Sequence, residues 1–217
     1  MNSSKRFRIA LMVLALVVGG FGLVSMVAEL TAAPRPAFPT DPTKIVAPAG
    51  DVPGWLDAVR SDLASNHALI AALQAIQHGK VAGGASAEND RARLRVRQAL
   101  SAAPDDAELW LALALLETQH DPGGPTALGA LKMAYFLAPG DARLMPVRLD
   151  TATLSGALID LDLAELARGD VRLMLTRRPE LKTAIVQAYR RASKQGKAFL
   201  EQAVQAIDPA FVGTLRG

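Results

Sequence analysis

Apolar and polar positions divide the chain into three zones. An uncharged, apolar run occupies residues 9–28, and six prolines follow within residues 31–53. From residue 54 to the C-terminus, apolar residues recur three or four positions apart, which is the spacing of a helix face. The pattern predicts an N-terminal apolar helix with its basic flank (1–30), a proline-rich tether (31–53) and an all-α domain (54–217).

The apolar run is long enough to cross a membrane. Its 20 residues would rise about 30 Å as a helix, which matches the hydrocarbon thickness of a bilayer. A cleaved signal peptide has a shorter apolar core of about 7–15 residues, and Pro34 would follow a cut after Ala33. We therefore expect an uncleaved anchor. Three basic residues precede the run, so the N-terminus should be cytoplasmic and the helical domain periplasmic, on an inner-membrane anchor.

The proline-rich tether is expected to be neither helix nor sheet, because proline fixes φ and lacks a backbone donor. An extended polyproline segment rises about 3.1 Å per residue and would hold the domain tens of ångströms from the bilayer. The alternative is a disordered linker without a spacing role. The sequence leaves both open.

Residues 91–100 fit two patterns. Arginine at every second position from Arg91 is the period of a strand. A helix would collect a different set on one apolar stripe: Ala92, Val96, Ala99, Leu100 and Ala103. Aromatic residues are only 5% of a chain rich in Leu and Ala, which favours helix over sheet. We predict a helix with a solvated arginine face, after a loop at residues 79–89.

One stretch of pattern occurs twice, 35 residues apart. Residues 99–109 read ALSAAPDDAEL, and residues 134–144 read AYFLAPGDARL. The matched pairs are Ala99 and Ala134, Ala103 and Ala138, Pro104 and Pro139, Asp106 and Asp141, Ala107 and Ala142, and Leu109 and Leu144. A fixed period of this length is typical of helical repeat proteins.

The clearest unit, residues 105–139, resembles the tetratricopeptide repeat (TPR), a helix-turn-helix unit of 34 residues. The matching positions are Trp110, Leu113 and Ala114 in the first helix, then Ala127, Leu131, Ala134 and Pro139. The unit departs from the family pattern because no aromatic residue lies near Glu117 and one extra residue lies in the turn at 121–125. The resemblance implies an α-solenoid, in which helices of successive repeats stack. Later helices are expected to be separated at Gly169, Pro179, Gly196 and Pro209.

The TPR resemblance also implies where a protein partner would bind. In such proteins ligands lie along the concave face that the first helices line. Carried over by register from Trp110, the partner-binding residues are Glu108, Leu111, Leu115, Thr118, Gln119 and, from the following unit, Arg143. Burial of the two leucines against C-terminal helices is an equally good interpretation of their apolar character.

Net charge is only +3, but residues 168–197 contain nine basic and two acidic side chains. Such a cluster can bind an acidic polysaccharide or lipid headgroups. The candidate anion-binding residues are Arg177, Arg178, Arg190 and Arg191. Two helices with solvated basic faces would show the same composition. Nucleic acid is excluded as a partner if the domain is periplasmic.

The sequence contains no catalytic or metal-binding motif. The chain has no Cys and three widely spaced His, so disulfides and thiolate metal sites are excluded and no ligand pair is evident. No phosphate-binding loop or nucleophile elbow occurs. We expect no metal, no cofactor and no enzymatic activity.

These features predict a membrane-anchored TPR-like adaptor that binds a protein partner and helps to assemble a bacterial cell-envelope complex, such as one for polysaccharide biosynthesis or export. Two alternatives remain. One is a chaperone-like peptide-binding module of the cytochrome c maturation type. The other is a binder of polyanions or lipid headgroups through residues 168–197.

Overall fold

The computed structural model describes residues 3–31, 35–39, 61–82 and 87–217, and the regular elements within these ranges are all helical. The helices are α1 (Ser3–Thr31), α2 (Ser61–Ala82), α3 (Ala87–Ala102), α4 (Ala107–His120), α5 (Pro125–Leu137), α6 (Met145–Leu154), α7 (Leu161–Thr176), α8 (Lys182–Arg191), α9 (Lys194–Ile207) and α10 (Phe211–Arg216). Short 3₁₀ turns, Gly156–Ile159 and Pro179–Leu181, lie beside α7. The all-α class is confirmed. The predicted helical positions Trp55, Leu56 and Val59 lie outside the described residues.

Helix α1 is long, apolar and largely separate from the packed domain. Its segment Lys5–Val27 has the length and composition of a membrane span or a signal sequence, and its apolar window is not buried against the rest of the chain. An α-helix of 29 residues extends about 43 Å, more than one hydrocarbon core. The predicted N-terminal apolar helix is therefore confirmed.

Helices α2 to α5 pack as two consecutive helical hairpins. Helix α2 packs on α3 and α4 packs on α5, while α2 and α3 both also contact α4. The α4–α5 turn uses Gly123 in the left-handed region, with φ of 81°, and Pro125 opens α5 at a position where its missing N–H has no intrahelical partner. Antiparallel packing follows from these short connections.

The helical interpretation of residues 91–100 is confirmed, because they lie within α3 and bury Ala92, Val96, Ala99 and Leu100. The arginine face is only partly solvated. Arg93 and Arg97 donate to the two carboxylate oxygens of Glu117 at 3.0 and 2.6 Å, and Glu117 is buried. A buried carboxylate that binds two arginines of α3 therefore occupies the position where the repeat pattern expects an aromatic residue.

The loop predicted at residues 79–89 is shorter than expected. Helix α2 continues to Ala82 and α3 begins at Ala87. Asn89 is buried and donates to Leu116 O at 3.2 Å and to Gln119 Oε1 at 3.0 Å. A glycine such as Gly79 costs a helix only about 1 kcal/mol relative to alanine, so packing outweighs its low helix propensity.

The two copies of the sequence pattern form the same local turn. Asp106 N donates to Ala103 O at 3.3 Å, and Asp141 N donates to Ala138 O at 3.2 Å. The chain then diverges: α4 starts directly after Asp106, whereas a further turn separates Asp141 from α6. Helix α6 packs mainly on α7, α8 and α9, and less on α5, so it does not continue the series of hairpins formed by α2 to α5.

Helix α6 lies at the centre of the C-terminal half, and residues 145–153 are all buried. Its Arg148 side chain is fully buried and donates to both carboxylate oxygens of Asp170, at 3.0 and 3.2 Å. The same guanidinium donates to Ala134 O and Ala138 O, the last carbonyls of α5, and lies 4.5 Å from the Tyr135 ring centroid. Arg148 therefore joins α5, α6 and α7.

Two of the four predicted helix boundaries in this half are wrong. Pro179 and Pro209 lie between helices, but Gly169 lies inside α7 and Gly196 inside α9. Gly196 is required by packing: a Cβ there would lie 2.2 Å from Thr153 O of α6. Because Gly196 has no Cβ, α9 can approach α6 closely, and Ser193 N and Oγ both donate to Thr153 O at 3.0 Å.

Candidate partner-binding site

A short part of the proline-rich tether lies against the helical domain. Residues 35–39, with the sequence RPAFP, have no regular secondary structure and contact α2 and α4. This docked segment begins four residues after α1 ends at Thr31. Covalent geometry therefore limits the distance between the Cα atoms of Thr31 and Arg35 to at most about 14 Å. While the segment stays docked, the end of α1 therefore cannot lie tens of ångströms from the site on α4.

Arg35 is the polar anchor of the docked segment. Its Nε donates to Glu108 Oε2 at 2.7 Å, and its Nη2 donates to both oxygens of Asp106 at 2.8 and 2.7 Å. Nη1 lies 3.4 Å from Asn66 Oδ1 on α2. Hydrogen bonds between a guanidinium and a carboxylate are charge-assisted and are roughly twice as strong as those between neutral groups.

The carboxylate pair, Asp106 and Glu108, is built by the start of α4. Asp106 is the N-cap, and its Oδ1 accepts from Glu108 N at 3.1 Å and Leu109 N at 3.2 Å. An acidic side chain at a helix N-terminus is also favoured by the helix dipole. Asp106 therefore caps the N-terminus of α4 and also places its carboxylate where it binds Arg35.

The carboxylate side of this contact is more buried than that of an ordinary surface ion pair. The Asp106 and Glu108 side chains are 12% and 9% exposed, and that of Arg35 is 37% exposed. Burial acts to lower the pKa of Arg35, but the hydrogen bonds and charges of Asp106 and Glu108 outweigh it and raise that pKa. The guanidinium is thus held in its charged form.

Phe38 is the apolar anchor. It is 3% exposed and belongs to the hydrophobic cluster that includes Leu69 of α2 and Leu111 of α4. Ala37, between the two anchors, is exposed. The two anchors, Arg35 and Phe38, are three residues apart and hold the segment against α2 and α4.

The structure places five of the six predicted partner-binding residues on one face of α4, but that face is largely covered. Glu108 is buried and binds Arg35. Leu111 is fully buried, whereas Leu115 is partly buried. Because α4 packs mainly on α2, α3 and α5, the burial does not come from the C-terminal helices.

The remaining predicted partner-binding residues bond within the domain. Thr118 donates to Ala114 O at 2.7 Å, and Gln119 donates to Ile76 O of α2 at 3.0 Å. Arg143 is 60% exposed, contacts Glu108 Oε1 at 3.2 Å and bonds Asp141 at 2.7 Å. Glu108 thus lies between two arginines, one from the docked segment and one from the start of the C-terminal half.

The four candidate anion-binding arginines lie in two pairs at the two ends of α8. Arg177 and Arg178 precede α8, and Arg190 and Arg191 lie at its end, about 15 Å away along the helix. Arg191 donates to buried Asp150 at 2.8 Å. Arg177 and Arg190 are exposed and form no ion pair with the residues that the structure describes.

Sequence reasoning missed Arg35 and Phe38 as parts of the site. A signal was present: Phe38 is the single aromatic residue in 31–53, and Arg35 lies three residues before it. A plain linker has no need of an aromatic side chain.

Within the described ranges, no cluster of three or more His, Asp or Glu side chains is arranged to hold a metal ion. Comparison of the chain with family models, curated proteins and solved structures found no match.

Proposed function

We propose that this protein is a membrane-anchored, TPR-like adaptor that binds a protein partner and helps to assemble a bacterial cell-envelope complex, such as one for polysaccharide biosynthesis or export. Helix α1 serves as an uncleaved anchor, with its N-terminus cytoplasmic and the helical domain periplasmic. The protein acts by binding and carries out no reaction of its own.

One observation carries this proposal: the surface at the start of α4 already holds a segment of the chain that has no regular secondary structure. The docked segment is bound through a charged anchor, Arg35, and an apolar anchor, Phe38. A peptide segment that contacts the first helices of two successive hairpins, α2 and α4, has the arrangement by which TPR-like proteins bind their ligands. The surface therefore has the chemistry of a peptide receptor.

The same observation supports a second candidate, a chaperone-like module of the cytochrome c maturation type that captures a peptide tail. The two candidates differ in the partner. An adaptor holds a folded component of a complex, whereas a chaperone-like module holds an unfolded segment.

Site-specific photo-crosslinking in native membranes tests the adaptor proposal. A photoreactive residue at Ala37 or Leu115 should crosslink the same envelope protein, and a matched one at Ile159, which is 74% exposed and distant in sequence, should not. Mass spectrometry then identifies the product. Identical crosslinks from all three positions, or none from Ala37 and Leu115, would reject a partner site at α4.

A further inference from the structure

The docked segment combines the features of a ligand with those of a tether. It is covalently part of the chain, yet its contacts with the domain come from two side chains three residues apart. Pro36 and Pro39 flank Ala37 and Phe38. Proline restricts the free chain, so an extended segment of this kind loses little conformational entropy on docking.

Asp106 and Glu108 each have a partner other than Arg35. If Arg35 leaves, Glu108 retains Arg143 at 3.2 Å, and Asp106 retains the backbone N–H groups of Glu108 and Leu109. Neither carboxylate is then left buried without a partner, a state that would be strongly destabilising. Exchange of one arginine-bearing peptide for another is therefore chemically permitted at this site.

Docking of the segment also limits the distance between the end of α1 and the helical domain. With the segment docked, the site on α4 lies within reach of only a few residues from the end of α1. With the segment released, the 30 residues from Thr31 to Ser61 can span up to roughly 100 Å by covalent geometry. Occupancy of the site by a competing peptide would thus lengthen the permitted distance between α1 and the domain severalfold.

We propose that residues 35–39 are a resident ligand of the α4 site, and that a partner displaces them with an extended peptide carrying an arginine followed, three residues later, by an aromatic residue. This inference rests on the proposed adaptor function and specifies its partner and its regulation. The arginine enters the carboxylate pair, and the aromatic side chain takes the place of Phe38.

The test uses the full chain in nanodiscs and a fluorescent synthetic peptide, AAPRPAFPTDP, which copies residues 32–42. In the native chain the resident segment competes, so the peptide binds weakly. The double variant Arg35→Ala/Phe38→Ala frees the site, and the Kd for the added peptide should fall by roughly tenfold or more, because the binding-competent fraction rises. Peptides with Ala at the Arg or Phe position should not bind.

Two further variants serve as controls. Adding Asp106→Asn and Glu108→Gln removes the negative charge while Asn still caps α4, and this should abolish peptide binding. Replacing an exposed arginine and an exposed phenylalanine elsewhere, Arg177→Ala/Phe136→Ala, should leave the native Kd unchanged; Phe136 is 74% exposed. A double variant that binds the peptide no better than the native chain overturns the proposal.

A second measurement leaves both anchors intact. The chain has no Cys, so a spin label attached to Ala37→Cys reports on the docked segment alone. Ala37 is exposed, and the label should become more mobile when unlabelled peptide is added to saturation. An unchanged spectrum, or exchange of segments between two chains with formation of a dimer, overturns the proposal. Failure here leaves the crosslinking test of the adaptor function unaffected, since a partner can bind α4 without this peptide chemistry.

Discussion

Arg35 and Glu108 lie 73 residues apart in the chain, and their Nε and Oε2 atoms are 2.7 Å apart in the structure. This contact joins the tether that follows α1 to the first turn of α4. It occupies one residue of the predicted partner-binding face with the chain's own side chain. A proline-rich connection therefore becomes part of the folded domain.

The Arg35 contact should contribute measurably to stability. Arg35→Ala removes the charge-assisted hydrogen bonds to the carboxylate pair, and because Arg35 is partly exposed we expect a loss of only about 1 kcal/mol in unfolding free energy. Arg177→Ala, an exposed arginine without such partners, should change it by less than about 0.5 kcal/mol. Thermal unfolding of the full chain in detergent measures both. Equal melting temperatures for the two variants would mean that the segment docks without stabilising the domain.

Leu111 and Leu115 should respond differently to a charge. Leu111→Glu would bury an unpaired carboxylate at a fully buried position, so we expect a loss of about 3 kcal/mol or more, or complete unfolding. Leu115→Glu should cost less because Leu115 is only partly buried. Leu94→Glu, on a side chain that is 65% exposed, is the control and should be nearly neutral. Circular dichroism with chemical denaturation decides; a stable, helical Leu111→Glu chain would place Leu111 outside the core.

Gly196 and Gly169 form a matched pair of helix-interior glycines. A Cβ at Gly196 would meet Thr153 O at 2.2 Å, whereas nothing lies within 4 Å of a Cβ at Gly169. Gly196→Ala must therefore separate α9 from α6 and should cost about 1–3 kcal/mol, as overpacking does. Gly169→Ala should stabilise the chain by about 0.5–1 kcal/mol through helix propensity. Melting temperatures that shift in the same direction for both would argue against the close α6–α9 contact.

Arg148→Ala should be strongly destabilising. The substitution removes four hydrogen bonds, three of them buried, and leaves a cavity, for which we expect a loss of roughly 3 kcal/mol or more. Arg172→Ala, an exposed arginine on α7, is the control and should have little effect.

The loss in Arg148→Ala should also grow with pH. Burial raises the pKa of Asp170 to about 7, although Arg148 acts to lower it. Without Arg148 that pKa rises further, so the folded variant keeps a proton that the unfolded chain, with an Asp pKa of about 4, releases. In the native chain, titration of Asp170 lowers the unfolding free energy only up to about pH 7. In the variant, whose folded-state pKa is higher, the unfolding free energy continues to fall above pH 7. Denaturation at pH 6 and at pH 8.5 should show a wider difference at the higher pH; a constant difference would mean that Asp170 is not the responsible group.

The anchor and its orientation can be tested directly. A reporter active only in the periplasm, fused after Gly217, should be active, and the intact mass should retain the N-terminal residues through Ala28. Fusion of the same reporter to a chain with the basic flank replaced by Glu at Lys5, Arg6 and Arg8 is the control and should reduce periplasmic activity. A mature mass lacking about thirty residues would mean that the segment is a cleaved signal sequence.

Local rules were sufficient for much of this protein. The uncharged run at residues 9–28 predicts α1 because length and polarity alone decide whether a helix can cross a bilayer. The apolar stripe of residues 92–100 predicts α3 and its buried face, since helical periodicity is a property of neighbouring residues. The paired Asp106 and Asp141 turns likewise follow from short-range hydrogen bonds.

Only the tertiary structure decided which side chains meet across long separations. The partner-binding face was predicted by register on α4, but α2 and the docked segment cover it, because burial of apolar surface does not follow from the periodicity of one helix. Gly196 has the same local signal as a helix terminator, and its place inside α9 depends on Thr153, 43 residues earlier. The partners of Arg35 do not follow from its neighbours in sequence, because they lie on α2 and at the start of α4 and are brought together only when the helices pack.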